Sequence, residues 1–148
     1  MDKAKAPGIS FQKIELWACS VEIKDSTIEL RYGLGISDFK KEFSEDQTQL
    51  TIVVSFDLMQ GVERPPCDFK CTFAAVYVRP PDANMAWGDF KDSVAVAHML
   101  PFVREFICNV TMRMPIAALM IPPINAHQMF DSYRSKLARA DSTPALAD

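Results

Sequence analysis

Residues 101–130 read PFVREFICNVTMRMPIAALMIPPINAHQMF, so a helix-like run, a proline-bounded apolar connector and a capped second helix follow one another directly. Upstream, the first run is the end of a pattern from Lys91 to Arg113. Val94, Val96, Met99, Leu100, Val103, Phe106, Ile107, Val110 and, just beyond, Met114 cover most of a helix circumference, leaving a polar stripe of His98, Glu105 and Asn109. Pro101 removes one backbone bond and crowds the preceding turn, so it kinks this helix or opens a second piece. One sheet cannot bury so wide a face. In a chain this short, the other side of the helix is expected to pack on a partner subunit. Downstream, Asn125 is an N-cap with Gln128 at N3, and Ile124 with Met129 takes the two positions of a hydrophobic staple. Ala126, Met129, Phe130, Tyr133, Leu137 and Ala140 then recur at helical spacing, and Arg134, Lys136 and Arg139 suit the negative end of the helix dipole.

Toward the N-terminus the hydrophobic period falls from about 3.6 to about 2, a segregated α+β pattern. The first strand is expected over Phe11 to Lys24, with Trp17, Cys19, Val21 and Ile23 on one face and Ile14 and Leu16 out of phase. A bulge or strong twist near Leu16 accounts for the change of phase. Ile28 to Ile36 alternates without error and is expected to be a half-buried strand, whose Gly33 and Gly35 leave room for something close by. After the connector SEDQTQ, a third strand over residues 48 to 60 carries Leu50, Ile52, Val54, Phe56 and Leu58. The fourth sets Cys67, Phe69, Cys71, Phe73, Ala75 and Tyr77 against Asp68, Lys70, Thr72 and Ala74. Four such strands with short turns predict an antiparallel sheet with one covered face.

A chain of 148 residues holds one domain, expected over 1–140, followed by a disordered tail over 141–148. With 49% apolar and 24% charged residues and a net charge of -3, it matches neither a disordered chain nor a basic nucleic-acid binder. The start MDKAKAPGIS has no apolar signal region, and the longest near-apolar run, Met114 to Ile124, is 11 residues broken by prolines. Secretion and membrane insertion are not expected, and a cytoplasmic location is. Cys19, Cys67, Cys71 and Cys108 then read as reduced, small apolar residues.

Chemistry-bearing motifs are absent: no phosphate-binding glycine loop, no nucleophile elbow and no His-Glu-x-x-His occur. No catalytic residue, cofactor or metal site is expected. Cys67 and Cys71 with His98 and His127 are the sole metal candidates, and the thiols fit the apolar strand pattern better. The loop DANMAWGDFKD holds Met85, Trp87 and Phe90, which either plug the edge of the core or form a mobile lid beside a groove. Met112, Met114, Met120 and Met129 gather around the proline-rich connector, where flexible thioethers suit a surface that accepts varied apolar partners.

The order Pro101, Phe102, Arg104, Glu105, Ile107, then Arg113, Pro115, Pro122 or Pro123, Asn125 and Phe130, resembles the C-terminal part of the SecB protein-export chaperones. Phe11 and Gln12, and Phe69 with Cys71, fit the same family over the strands. The resemblance implies a four-stranded antiparallel Greek-key sheet, a crossover loop and two helices, assembling as a homotetramer, a dimer of dimers. It implies an ATP-independent holdase for unfolded or nascent polypeptides. Its groove would be lined by Met85, Trp87, Phe90, Met114, Met120, Phe130, Tyr133 and Leu137. Subunit contact would fall on Val103, Arg104, Phe106, Ile107 and Val110. Export members dock the SecA motor on an acidic sheet face. The corresponding positions hold Ser20, Lys24 and Thr72, with Lys70 beside them and Glu22 as the one surviving carboxylate, which puts SecA binding in doubt. A chaperone dedicated to an antitoxin in a toxin-antitoxin-chaperone system is the alternative within the family. From other classes, the rivals are a small apolar-ligand domain and an adaptor that works by strand addition.

Overall fold

A computed structural model describes residues 8–25, 32–115 and 118–142. Four strands, β1 (Ser10–Ile23), β2 (Gly35–Phe43), β3 (Gln49–Asp57) and β4 (Cys67–Val78), form one antiparallel sheet in the order β1-β4-β3-β2. The connection from β1 to β2 spans from one edge of the sheet to the other, which makes this the expected Greek key. Two helices follow, α1 (Asp92–Thr111) and α2 (Ala126–Ser142), and cover one face of the sheet. The expected α+β class and element order hold.

Period-two patterning dictates the covered face. Leu50, Ile52, Val54 and Phe56 of β3 lie directly beside Tyr77, Ala75, Phe73 and Cys71 of β4, and all eight are buried. Against them α1 sets Ala95, Val96, Met99, Leu100, Val103 and Ile107, also buried. By length and composition α1 is apolar enough to cross a bilayer, but its buried residues belong to this core. The helix runs unbroken through Pro101, which lies on its exposed side together with Ala97. There the Ala97 carbonyl, left without a helical donor, is within reach of water.

β1 carries the expected irregularity, and it reassigns one side chain. Register shifts between Leu16 and Ala18, so that Ile14, Leu16, Cys19 and Val21 all lie opposite core-face residues of β4. Trp17 is the extra residue. It turns to the open face, where its indole N–H donates to Glu15 at 3.2 Å, and so does not share a face with Cys19 and Val21 as expected.

The second strand is displaced from its expected place. Residues 26–31 lie outside the described residues, and β2 begins at Gly35, where the strand was expected to be ending. Gly33 and Gly35 do make room as expected: a Cβ on either would collide with Gln60. The Gln60 amide donates to Ile36 O at 3.0 Å, and its carbonyl oxygen accepts from Lys136 of α2 at 2.9 Å. A bulge at Ser37 then resets the alternation, so that Ile36, Phe39, Lys41 and Phe43 fall on the core side.

Helix α2 starts where expected. Asn125 Oδ1 accepts from the Gln128 backbone N–H at 3.1 Å, and Ile124 and Met129 both join the core. Its end, Ser142, lies two residues past the expected limit at 140; 143–148 lie outside the described residues.

Candidate functional site

The crossover from β4 to α1 is tied down rather than free. Arg79 donates through Nε to Met85 O at 2.6 Å and through Nη2 to Ala83 O, and the Trp87 indole N–H donates to Gln47 O at 2.6 Å. Gln47 sits at φ 61 in the β2–β3 turn, so the loop is anchored on the sheet's own hairpin. Phe90 packs on Tyr77 with ring centroids 4.7 Å apart, and Phe43 meets Trp87 edge-on at 5.6 Å. Trp87 and Phe90 therefore plug the edge of the core with one side of each ring, and neither belongs to a detached lid.

Their other side faces α2. Trp87, Phe90 and Phe130 line a cleft of about 540 Å³ together with Lys41, Lys91, Asp92, Ser93, His127, Asp131 and Arg134. Phe130 is buried, lies 5.1 Å from the Phe39 ring and 6.3 Å from Tyr133, and carries the Arg134 guanidinium 5.9 Å above it. Tyr133 and the exposed Leu137 continue along α2 at helical spacing. Trp87, Phe90 and Phe130, three of the eight groove residues implied by the family resemblance, line this cleft, while Tyr133, beside Phe130, and Leu137 extend along α2 outside its lining.

The other three stand elsewhere. Met85 is half-buried and is held through its carbonyl by Arg79. Met114 packs on the core at the end of α1. Met120 is 81% exposed on the connector and borders a separate cleft with Pro101, Arg104, Glu105, Cys108, Asn109 and Ile121. That connector is pinned at two points: Arg104 Nε donates to Ile121 O at 2.8 Å, and the Leu119 N–H donates to Thr111 Oγ1 at 2.8 Å. Met120 thus lies outside the cleft that Trp87, Phe90 and Phe130 line.

Lys41, Lys91, His127 and Arg134 were not expected at the site. Lys41 comes with β2, whose alternating Phe39, Lys41 and Phe43 were the available signal. His127 Nδ1 bonds Ser93 Oγ at 2.5 Å, joining the first turns of both helices, and Lys41 pairs with Asp92 at 2.9 Å.

The residues expected at a subunit contact divide. Val103 and Ile107 have no exposed surface and are core residues, which corrects their assignment to an interface. Phe106 packs edge-on against Phe69 and Phe73, and Arg104 is turned to the connector; like Val110, both keep part of their surface. Next to them lies apolar surface that the chain leaves open: Phe102, Phe11 and Leu16, with the Phe11 and Phe102 rings 6.5 Å apart.

Ser20, Glu22, Lys70 and Thr72 share the open face of the sheet, and Lys24 joins it through an ion pair with Asp68 at 3.1 Å. Glu22 lies opposite Asp68, Lys70 lies between Ser20 and Asp57, and Thr72 shares a 2.7 Å hydroxyl contact with Ser55. Charges of both signs alternate there. The four metal candidates do not converge: Cys67 and Cys71 are buried in the core, His98 bonds Tyr77 and His127 bonds Ser93. Among the described residues no group of three or more His, Cys, Asp or Glu is placed to hold a metal ion.

No protein-family model matches the chain, and none of the curated proteins does. Among solved structures, the chain is similar to the Mycobacterium tuberculosis SecB-like chaperone Rv1957 in complex with a ChAD peptide from the Rv1956 HigA1 antitoxin. That match has a TM-score of 0.63 and 13% identity, covering 79% of this chain and 91% of that one. A protein of unknown function from Streptococcus agalactiae also matches, with a TM-score of 0.44, 9% identity and coverage of 76% and 97%, a likeness from which nothing is argued. The fold is therefore that of a SecB-like chaperone.

Proposed function

We propose that this chain is a SecB-like molecular chaperone that binds extended, unfolded polypeptide segments without nucleotide and without catalysing a reaction. The observation that carries this reading is the cleft between the crossover loop and α2, lined by the half-buried Trp87 and Phe90 and the buried Phe130 and fixed in place by the loop's anchors. Burial against aromatic rings contributes roughly 25 cal/mol per Å², so a segment covering about 200 Å² gains about 5 kcal/mol, much of it offset by ordering the client. Single-cleft affinity is then weak. A homotetramer, a dimer of dimers, supplies several clefts and hence avidity. Its contact surface is the open apolar area of Phe11, Leu16, Phe102 and Phe106. The protein works in the cytoplasm.

Within this class a dedicated client, such as an antitoxin, is favoured over delivery to SecA. The structurally similar chaperone was solved with an antitoxin peptide, and the open sheet face presents Lys24 and Lys70 where attraction to a basic motor needs carboxylates. Delivery of secretory precursors is the second reading, and a small apolar ligand the third.

The test is to dilute a denatured, unrelated polypeptide into buffer with the protein and no nucleotide, following light scattering, and to repeat it with a disordered antitoxin segment. Wild type is expected to suppress aggregation of at least one client, and Trp87→Ala with Phe130→Ala to lose at least half of that effect. Suppression of both clients favours export; suppression of the antitoxin segment alone favours the dedicated role. If wild type protects neither, or if the double variant protects as well as wild type while folded by circular dichroism, the reading fails.

A further inference from the structure

Resting on the client-binding reading, the charge around the aromatic cleft bears on which segments it takes. The chain carries a net charge of -3, but the cleft does not share that sign. Lys41 and Asp92 neutralise each other at 2.9 Å, leaving Lys91 and Arg134 against Asp131. Among the described residues neither Lys91 nor Arg134 forms an ion pair, and both are exposed.

Their positions bring the fold little benefit. Lys91 is the N-cap of α1, where a helix favours a side-chain oxygen and disfavours a cation, and no side chain caps that helix. Arg134 stands over the Phe130 ring at 5.9 Å, directly at the aromatic floor, where a methylene chain would cover the ring as well. The His127–Ser93 bond holds the first turns of α1 and α2 at the same cleft, adding two positive dipole ends to the two cations. An apolar floor bordered by unpaired cations selects an apolar segment that brings its own negative charge.

We infer that the segment bound between the crossover loop and α2 is an extended apolar stretch of polypeptide with Asp or Glu immediately flanking its anchoring side chain. The anchor rests on Trp87, Phe90 and Phe130, and the carboxylate lies between Lys91 and Arg134. A basic flank is repelled by the same pair, so the cleft discriminates among segments of equal hydrophobicity.

Three fluorescein-labelled peptides with one apolar core and Glu, Ser or Lys flanks test this by anisotropy, in low salt and again in high salt. Wild type is expected to bind the Glu-flanked peptide about tenfold more tightly than the Lys-flanked one, with the ratio shrinking as salt is raised. Lys91→Glu with Arg134→Glu, both at exposed sites, is expected to invert the order of the Glu- and Lys-flanked peptides. Equal binding of all three peptides, a preference for Lys flanks, or an order unchanged in the double variant overturns the inference and leaves the chaperone reading standing. Failure of all three peptides on wild type, the neutral one included, overturns both.

Discussion

Thr111 has no exposed surface, and its hydroxyl donates to Ile107 O at 2.8 Å while accepting the Leu119 N–H, so one side chain ends α1 and fastens the connector. Thr111→Val keeps the shape but leaves the Leu119 N–H without its partner. It is expected to cost about 1–3 kcal/mol, seen as a lower urea midpoint with unchanged slope; an unmoved midpoint would show that the connector is held elsewhere. Burial also pushes the Cys71 thiol from its usual 9.0 up to about 12 and raises the Tyr77 phenol. The folded state then holds these protons more tightly than the unfolded chain. Their contribution to stability is complete below the ordinary thiol value and is lost as pH rises from there toward the folded value. Urea midpoints are expected to fall between about pH 9 and pH 11, and to fall less steeply in Cys71→Ala; parallel slopes in the two proteins would remove Cys71 as a cause. At this scale the N-cap Asn125 was legible, because capping needs only neighbours in sequence. Thr111 was not, since its partner Leu119 is brought to it by the turn of the chain.

Elements differ in how much of themselves they announce. The central strand β3 alternates cleanly, as does β4 from Cys67 to Phe73, because each lies in the middle of the sheet with one face covered, while Phe73 to Tyr77 are all buried. The edge strand β2 was missed: its bulge at Ser37 shifts the period, and Lys40, Lys41 and Glu42 hide the pattern of Phe39 and Phe43. With it went Lys41 and the Phe39 support beneath Phe130. In β1 the irregularity was legible but not its outcome, since which residue is extruded depends on the partner strand. The start of α2 rests on its cap, so Asn125→Ala is expected to lower stability by about 1 kcal/mol in thermal or urea unfolding, and Asn125→Asp to retain it. A loss no larger than about 0.2 kcal/mol would mean that tertiary packing alone sets this boundary.

For the whole molecule, the open question is what covers the edge of β1. Phe11, Leu16 and Phe102 are 37%, 44% and 41% exposed, and β1, of 14 residues, is an edge strand that pairs only with β4 among the described residues. A second copy is the proposed cover. Light scattering after gel filtration is expected to give a tetramer for wild type and a smaller species for Leu16→Asp with Phe102→Asp; a wild-type monomer at micromolar concentration would sink the assembly. The two-sided apolarity of α1, read from period alone, pointed to such a partner. It did not say which residues face that partner, and Val103 and Ile107, placed there by the family resemblance, belong to the stripe buried in the chain's own core. Hydrophobic period, caps and proline positions determined the class, the element order and the helix starts, since these are settled by neighbours along the chain. Only the tertiary structure decided which apolar residues are spent on the core and which line the aromatic cleft. It alone placed Lys91 and Arg134 beside that cleft, because such meetings depend on the crossover of the chain and the packing of α2 on β2.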